Sequence, residues 1–136
     1  MTQSEVKKHL SAAARAYSRF KAAKDKADTY RAQLTGKAVR YEGVGSSAKI
    51  NATEEAFQRL IAYDEDVVRC ELAWLASRSE VENLIALCPR EDERIMLEYR
   101  YLCRYKYEDI AAALGCTVRT VYRTHKKAIQ FLCNIS

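Results

Sequence analysis

One proline and four glycines are the only strong chain breakers in this sequence. Their positions, Gly36, Gly43, Gly45, Pro89 and Gly115, leave two long uninterrupted stretches and one short corner. Gly and Pro are the residues that stop helices, so their scarcity predicts long helices and makes a sheet unlikely. The expected fold class is all-α. At 136 residues with 49% apolar content, the chain is one domain, or a long helical piece with a small module. There is no room for a two-domain enzyme.

In the first stretch Val6, Leu10, Ala13, Tyr17, Phe20, Ala27 and Leu34 recur at helical steps, which predicts a nearly unbroken helix over about 3–34. A connector at 35–52 follows, where Gly36, Gly43, Gly45, Ser46 and Ser47 fall without apolar period. Thr53, Glu54 and Glu55 then open a second helix over about 53–87. Its stripe is Phe57, Leu60, Ile61, Val67, Val68, Leu72, Leu75, Val81, Leu84 and Ile85. The simplest arrangement is an antiparallel helical hairpin forming a first domain, residues 1–88. Helices of this length span roughly 50 Å and suit equally a rod or a homodimer through the hairpin.

Charge supports the pairing. Residues 1–40 hold ten Lys/Arg against three acids, whereas residues 41–89 hold four against nine. The cations of the first helix, among them Lys7, Lys8, Arg15 and Lys24, then have two readings: a solvated face matched to the acidic helix, or a track for phosphates. Trp74 and the tyrosines Tyr99, Tyr101, Tyr105 and Tyr107 cluster where the hairpin meets the C-terminal module, so packing is their expected role rather than base stacking.

The second domain is expected over residues 89–136. Pro89 and the acids Glu91, Asp92 and Glu93 suit a helix start, and Ile95, Met96, Tyr99 and Leu102 give it an apolar stripe. From Tyr107 the spacing reads as two short helices joined by a tight turn. Ala111 supplies the small residue where the helices cross. Gly115, four on, supplies positive φ, and Val121, six further, fills the angle between them. Thr117 stands at the N-cap of the next helix, 118–131.

That next helix is basic. No carboxylate follows Asp109, so nothing in it repels phosphate. In a helix-turn-helix the second helix puts its N-terminal residues on base edges in the major groove and its later cations on phosphate. The expected base-facing residues are Val118, Arg119, Tyr122 and Arg123, with the arginines as bidentate readers of guanine and Val118 and Tyr122 as apolar contacts. The expected phosphate contacts are Thr117, Thr120, Thr124, Lys126 and Lys127.

The runs DERIMLEYRY, YEDIAAALGCT and VRTVYRTHKKAI resemble region four of bacterial sigma factors over Pro89 to Leu132. The resemblance implies a module that reads promoter DNA and contacts RNA polymerase. Sigma factors often carry an acid at the second helical position, where this chain has Arg119, so the family's usual promoter sequence does not transfer. Nothing before Pro89 resembles the other sigma regions. A long helical part followed by one such module is similar to small phage and prophage transcription regulators of the ArpU and RinA type.

The expectation is therefore a double-stranded-DNA-binding transcription regulator, not an enzyme. No Gly-rich phosphate loop, metal-ligand cluster or nucleophile with a base motif is visible, and no cofactor or metal is expected. The five cysteines are scattered singly and read as small buried hydrophobes. With no leader or spanning segment legible, a cytoplasmic location without membrane contact is expected. Two other classes share these features: a packaging protein of small-terminase type, and a polymerase-binding adaptor that never touches DNA.

Overall fold

The computed structural model describes residues 1–40 and 47–135. Six α-helices follow in order: α1 (Gln3–Leu10), α2 (Ala12–Arg40), α3 (Ser47–Ala86), α4 (Glu91–Leu97), α5 (Tyr107–Leu114) and α6 (Val118–Ile135). A π-helical turn, Glu98–Leu102, continues α4. The fold is all-α, with no strand among the described residues.

The first long helix is broken once. At Ser11 (φ −77°, ψ −7°) the chain turns between α1 and α2, and the Arg15 guanidinium donates to the Lys8 carbonyl at 3.0 Å. Both long helices also run further into the connector than the spacing predicts, α2 to Arg40 and α3 from Ser47. Gly36 lies inside α2. A helix interior tolerates one glycine at a cost of about 1 kcal/mol when each added residue still closes a hydrogen bond. Residues 41–46, with Gly43, Gly45 and Ser46, lie outside the described residues.

The chain forms two compact units. One comprises Tyr17–Ala73, where α2 and α3 pair as limbs of an antiparallel hairpin. Ala23 and Ala27 are buried on α2, and small side chains there let the helices approach closely. The Tyr30 and Tyr63 rings meet edge-on at 5.2 Å, and the Lys26 ammonium lies 4.6 Å from the Tyr63 ring centre. Arg31 grips Asp64 with one nitrogen at 3.0 and 2.8 Å from its two oxygens, so the expected charge matching has a concrete cross-helix form. The expected stripe of α3 divides, however. Leu60 and Val67 are half-buried, but Phe57, Ile61, Val68 and Leu72 are exposed.

The other unit joins Met1–Ala16 to Trp74–Ser136. Its core draws Val6, Leu10 and Ala13 from the first two helices, and Val81, Ile85 and Cys88 from the end of α3 and just beyond. Met96, Leu97, Tyr101, Ile110, Ala111, Val121, Ala128, Ile129 and Leu132 complete it. The boundary expected at residues 88 and 89 is thus not where packing divides the chain. Arg94 stitches across it, donating to the carbonyls of Cys88 at 2.7 Å and Pro89 at 3.0 Å. Burial pushes the Cys88 thiol up to about 11, Glu93 adding to the effect, so this cysteine is a packed apolar group. Cys103, by contrast, is exposed, against the expectation of burial for all five.

Candidate nucleic-acid interface

The corner between α5 and α6 is built as the spacing requires. Gly115 has φ 67° and ψ 35°, in the left-handed region, and closes α5 with paired backbone bonds. Cys116 N donates to Ala111 O at 3.0 Å and Gly115 N to Ala112 O at 3.4 Å. A Cβ at Gly115 would meet no atom within 4 Å, so the backbone angle alone selects glycine. Thr117 then caps α6: its Oγ1 accepts from Thr120 N at 3.2 Å, and its carbonyl from Val121 N at 3.2 Å. Ala111 is buried at the crossing and Val121 in the angle.

The corner fixes which side of α6 looks outward. Val121, His125, Ala128, Ile129 and Leu132 face the core. Arg119, Tyr122, Arg123, Lys126 and Lys127 are exposed, and among the described residues none of these cations forms an ion pair. Arg119 and Arg123, one turn apart, therefore share an open face with Lys126. Val118 departs from expectation: it is half-buried and packs against the core, because the first turn of α6 leans on α5.

The threonines also divide. Thr124, half-buried, donates its hydroxyl to the Thr120 carbonyl at 2.9 Å, so its proton is used within the helix and it is a poor phosphate donor. Thr117 and Thr120 share one hydrogen bond between their hydroxyls at 3.0 Å, which leaves one donor of the two outward.

His125 is the residue that sequence reasoning missed as part of this helix's support. Its Nε2 shares a 2.7 Å hydrogen bond with the Tyr101 hydroxyl, and the two rings stack with centres 5.8 Å apart. Burial, followed by the positive charges of Lys7 and Arg100, pushes its pKa down to about 4, so the imidazole is neutral. Burial raises the Tyr101 hydroxyl to about 12. Tyr107 sets its ring edge-on to His125 at 5.7 Å and touches the Tyr122 ring at 4.4 Å, while the Arg100 guanidinium lies 4.3 Å over Tyr107. Tyr122, although 52% exposed, is thus held from behind. The one early signal was periodicity, since His125 falls four residues after Val121 and four before Ile129.

Two further features left no signal in the sequence. The π-helical turn closes with Cys103 N to Glu98 O at 3.0 Å, and Arg104 follows at φ 59°. Tyr105 stacks on Tyr99 with ring centres 5.2 Å apart, so the expected packing role holds for the pair even though Tyr105 keeps 40% of its surface exposed.

The chain has no match among curated proteins and none among solved structures. Residues 90–132, about a third of the chain, match the family model of sigma-70, region 4. The corner, its capping threonine and the basic helix all lie within that match, which supports a DNA-binding, transcription-related role for this helix-turn-helix.

Proposed function

We propose that this protein is a sequence-specific transcription regulator that lays α6 in the major groove of double-stranded DNA. The observation that carries the reading is the outward face of α6, where Arg119, Arg123, Lys126 and Lys127 stand unpaired among the described residues on a helix without carboxylates. Arg119 and Arg123 read base edges, with Tyr122 as an apolar neighbour. Lys126 and Lys127 take phosphates. The reading places catalysis outside this protein's role and treats it as a binder.

We infer further that it acts at promoters with RNA polymerase, in the manner of the small phage and prophage regulators that share its arrangement. A second copy is also part of the reading. Phe57, Ile61, Val68 and Leu72 recur along α3 at steps that keep them on one side, large, apolar and exposed. The same stripe on two copies makes an isologous contact, and helix-turn-helix dimers read paired half-sites.

Selection of bound sequences from a random DNA pool supplies the test site. On it, Arg119→Ala and Arg123→Ala should each lose roughly 1–3 kcal/mol of specific binding while non-specific binding stays nearly intact. Equal loss on every sequence would contradict base readout. Solution mass discriminates further: a dimer supports regulation through paired half-sites, whereas a ring of eight or more chains supports the packaging reading. Retained polymerase binding with no gel shift at low salt supports the adaptor.

A further inference from the structure

Tyr107 and Tyr122 come from the two helices of the corner and meet across it. Their ring centres are 4.4 Å apart, with the planes tilted by 31°. Tyr107 opens α5 and is half-buried against the core, whereas Tyr122 keeps 52% of its surface exposed on α6. A helix turns by about 100° per residue, so Tyr122, three residues after Arg119, projects within about 60° of it. Part of the Tyr122 ring is therefore taken up by Tyr107, and the rest looks out beside the arginine.

Tyr107 is itself held by several neighbours. The Arg100 guanidinium carbon lies 4.3 Å from its ring centre, and the same guanidinium donates to the Tyr105 carbonyl at 3.0 Å, which pins the cation in place. The His125 ring meets Tyr107 edge-on at 5.7 Å, and His125 is fixed in turn by its 2.7 Å hydrogen bond with Tyr101. An exposed side chain on a helix ordinarily exchanges among rotamers, and ordering it on binding costs about two- to tenfold in affinity. Contact with a braced ring settles the conformation of Tyr122 before any ligand arrives.

We propose that Tyr107, braced by Arg100, is a positioning residue that fixes Tyr122 to read the C5-methyl group of a thymine in the major groove. The inference rests on the reading of α6 as the recognition helix, and it adds a residue of α5 that acts through Tyr122 rather than on DNA itself. The ligand chemistry follows from the parts. An uncharged aromatic ring offers apolar contact, and among the four bases only thymine shows a methyl group in that groove. Arg119 and Arg123 read guanine through hydrogen bonds, so the tyrosine supplies a base preference of a different kind.

The test measures binding of the full chain to the selected site and to versions in which each thymine in turn is replaced by deoxyuridine, which removes the methyl and leaves base pairing unchanged. At one thymine the wild type should bind about fourfold less tightly without the methyl, the factor for burying one methyl-sized group. Tyr122→Ala should bind both versions alike. Tyr107→Leu keeps an apolar side chain on the core but no ring, and its preference should fall below about twofold, because the freed Tyr122 has to be ordered on binding. Tyr107→Phe should restore the wild-type ratio. Arg100→Gln leaves Tyr107 in place without its brace and should give a ratio between those of Tyr107→Leu and the wild type. A ratio of affinities for two sites that differ by one methyl is blind to lost phosphate contacts and to a general loss of stability.

A selected site without thymine, or a wild type indifferent to the methyl at every thymine, overturns the proposal, as does a methyl preference that survives in Tyr122→Ala. An unchanged ratio in Tyr107→Leu and Arg100→Gln overturns the positioning role, and should Tyr107→Leu fail to fold, Arg100→Gln decides by itself. A Tyr107→Leu chain that loses its guanine preference as well overturns it too, because Tyr107 would then support α6 as a whole. All of these results leave the recognition helix standing. Arg119→Ala and Arg123→Ala chains that bind the selected site as tightly as the wild type would instead remove the reading of α6, whatever the methyl does.

Discussion

Leu10→Ala is the most direct probe of whether the region-four module depends on the N-terminal helix. Leu10 has no solvent exposure and belongs to the cluster that holds Ile129 and Leu132 of α6. Removing a buried leucine down to Cβ loses the transfer free energy of the deleted atoms and leaves a cavity, together costing about 2–5 kcal/mol. Whole domains are stable by only about 5–15 kcal/mol, so this one truncation takes a large fraction. Urea melts followed by far-ultraviolet circular dichroism should show the midpoint falling with little change in slope, which reports lost stability without altered cooperativity. Leu87→Ala is the matched control. Leu87 is 54% exposed in the same unit, so its truncation should stay within about 0.5 kcal/mol. DNA binding by Leu10→Ala should also weaken as the temperature approaches its lowered midpoint. Melting curves of Leu10→Ala and Leu87→Ala that superimpose would refute the claim that α1 completes the core under α6.

Two other perturbations read the corner and its support. Gly115→Ala meets no steric neighbour, so its whole cost is the left-handed backbone, about 1–2 kcal/mol; Gly115→Asn should lose less, and an alanine variant as stable as wild type would show that the corner tolerates another conformation. His125 has a folded pKa of about 4 against an ordinary 6.5, so the unfolded chain binds the proton more readily. The contribution is fully present above pH 6.5 and is lost as acid carries the pH from 6.5 down through 4, reaching about 3 kcal/mol. The part of that slope lying between pH 7 and 5 should vanish in His125→Gln, and an imidazole that titrates near 6.5 by nuclear magnetic resonance would contradict its burial.

What the sequence made legible was local. The offsets from Ala111 to Gly115 to Val121, and the hydroxyl at Thr117, specify backbone angles and caps within a few residues, and each appears in the structure at the expected place. The outward position of Arg119 and Arg123 followed from the same short-range periodicity. What depended on distant partners was not legible. Thr124 looked like a phosphate donor because its type was right, but the carbonyl one turn back takes its proton. Phe57, Ile61, Val68 and Leu72 looked like core because an apolar stripe reports only that a helix has a side worth burying, not what covers it. His125 gave no hint of Tyr101, since the two residues lie 24 apart in sequence and meet only through the packing of their helices.

Packing unites residues on both sides of Pro89, for a reason that bears on how such a module is held. A proline followed by three acids marks the start of a helix, and α4 does begin at Glu91. Helix starts and core limits are different quantities, however. The match to region four covers residues 90–132, and a piece of that size buries too small a share of its surface to be more than marginal alone. Six side chains from outside it, Val6, Leu10, Ala13, Val81, Ile85 and Cys88, enter the same core, and two of them are leucine or isoleucine with virtually no exposure. The chain therefore stabilises α6 by bringing its own beginning beneath it.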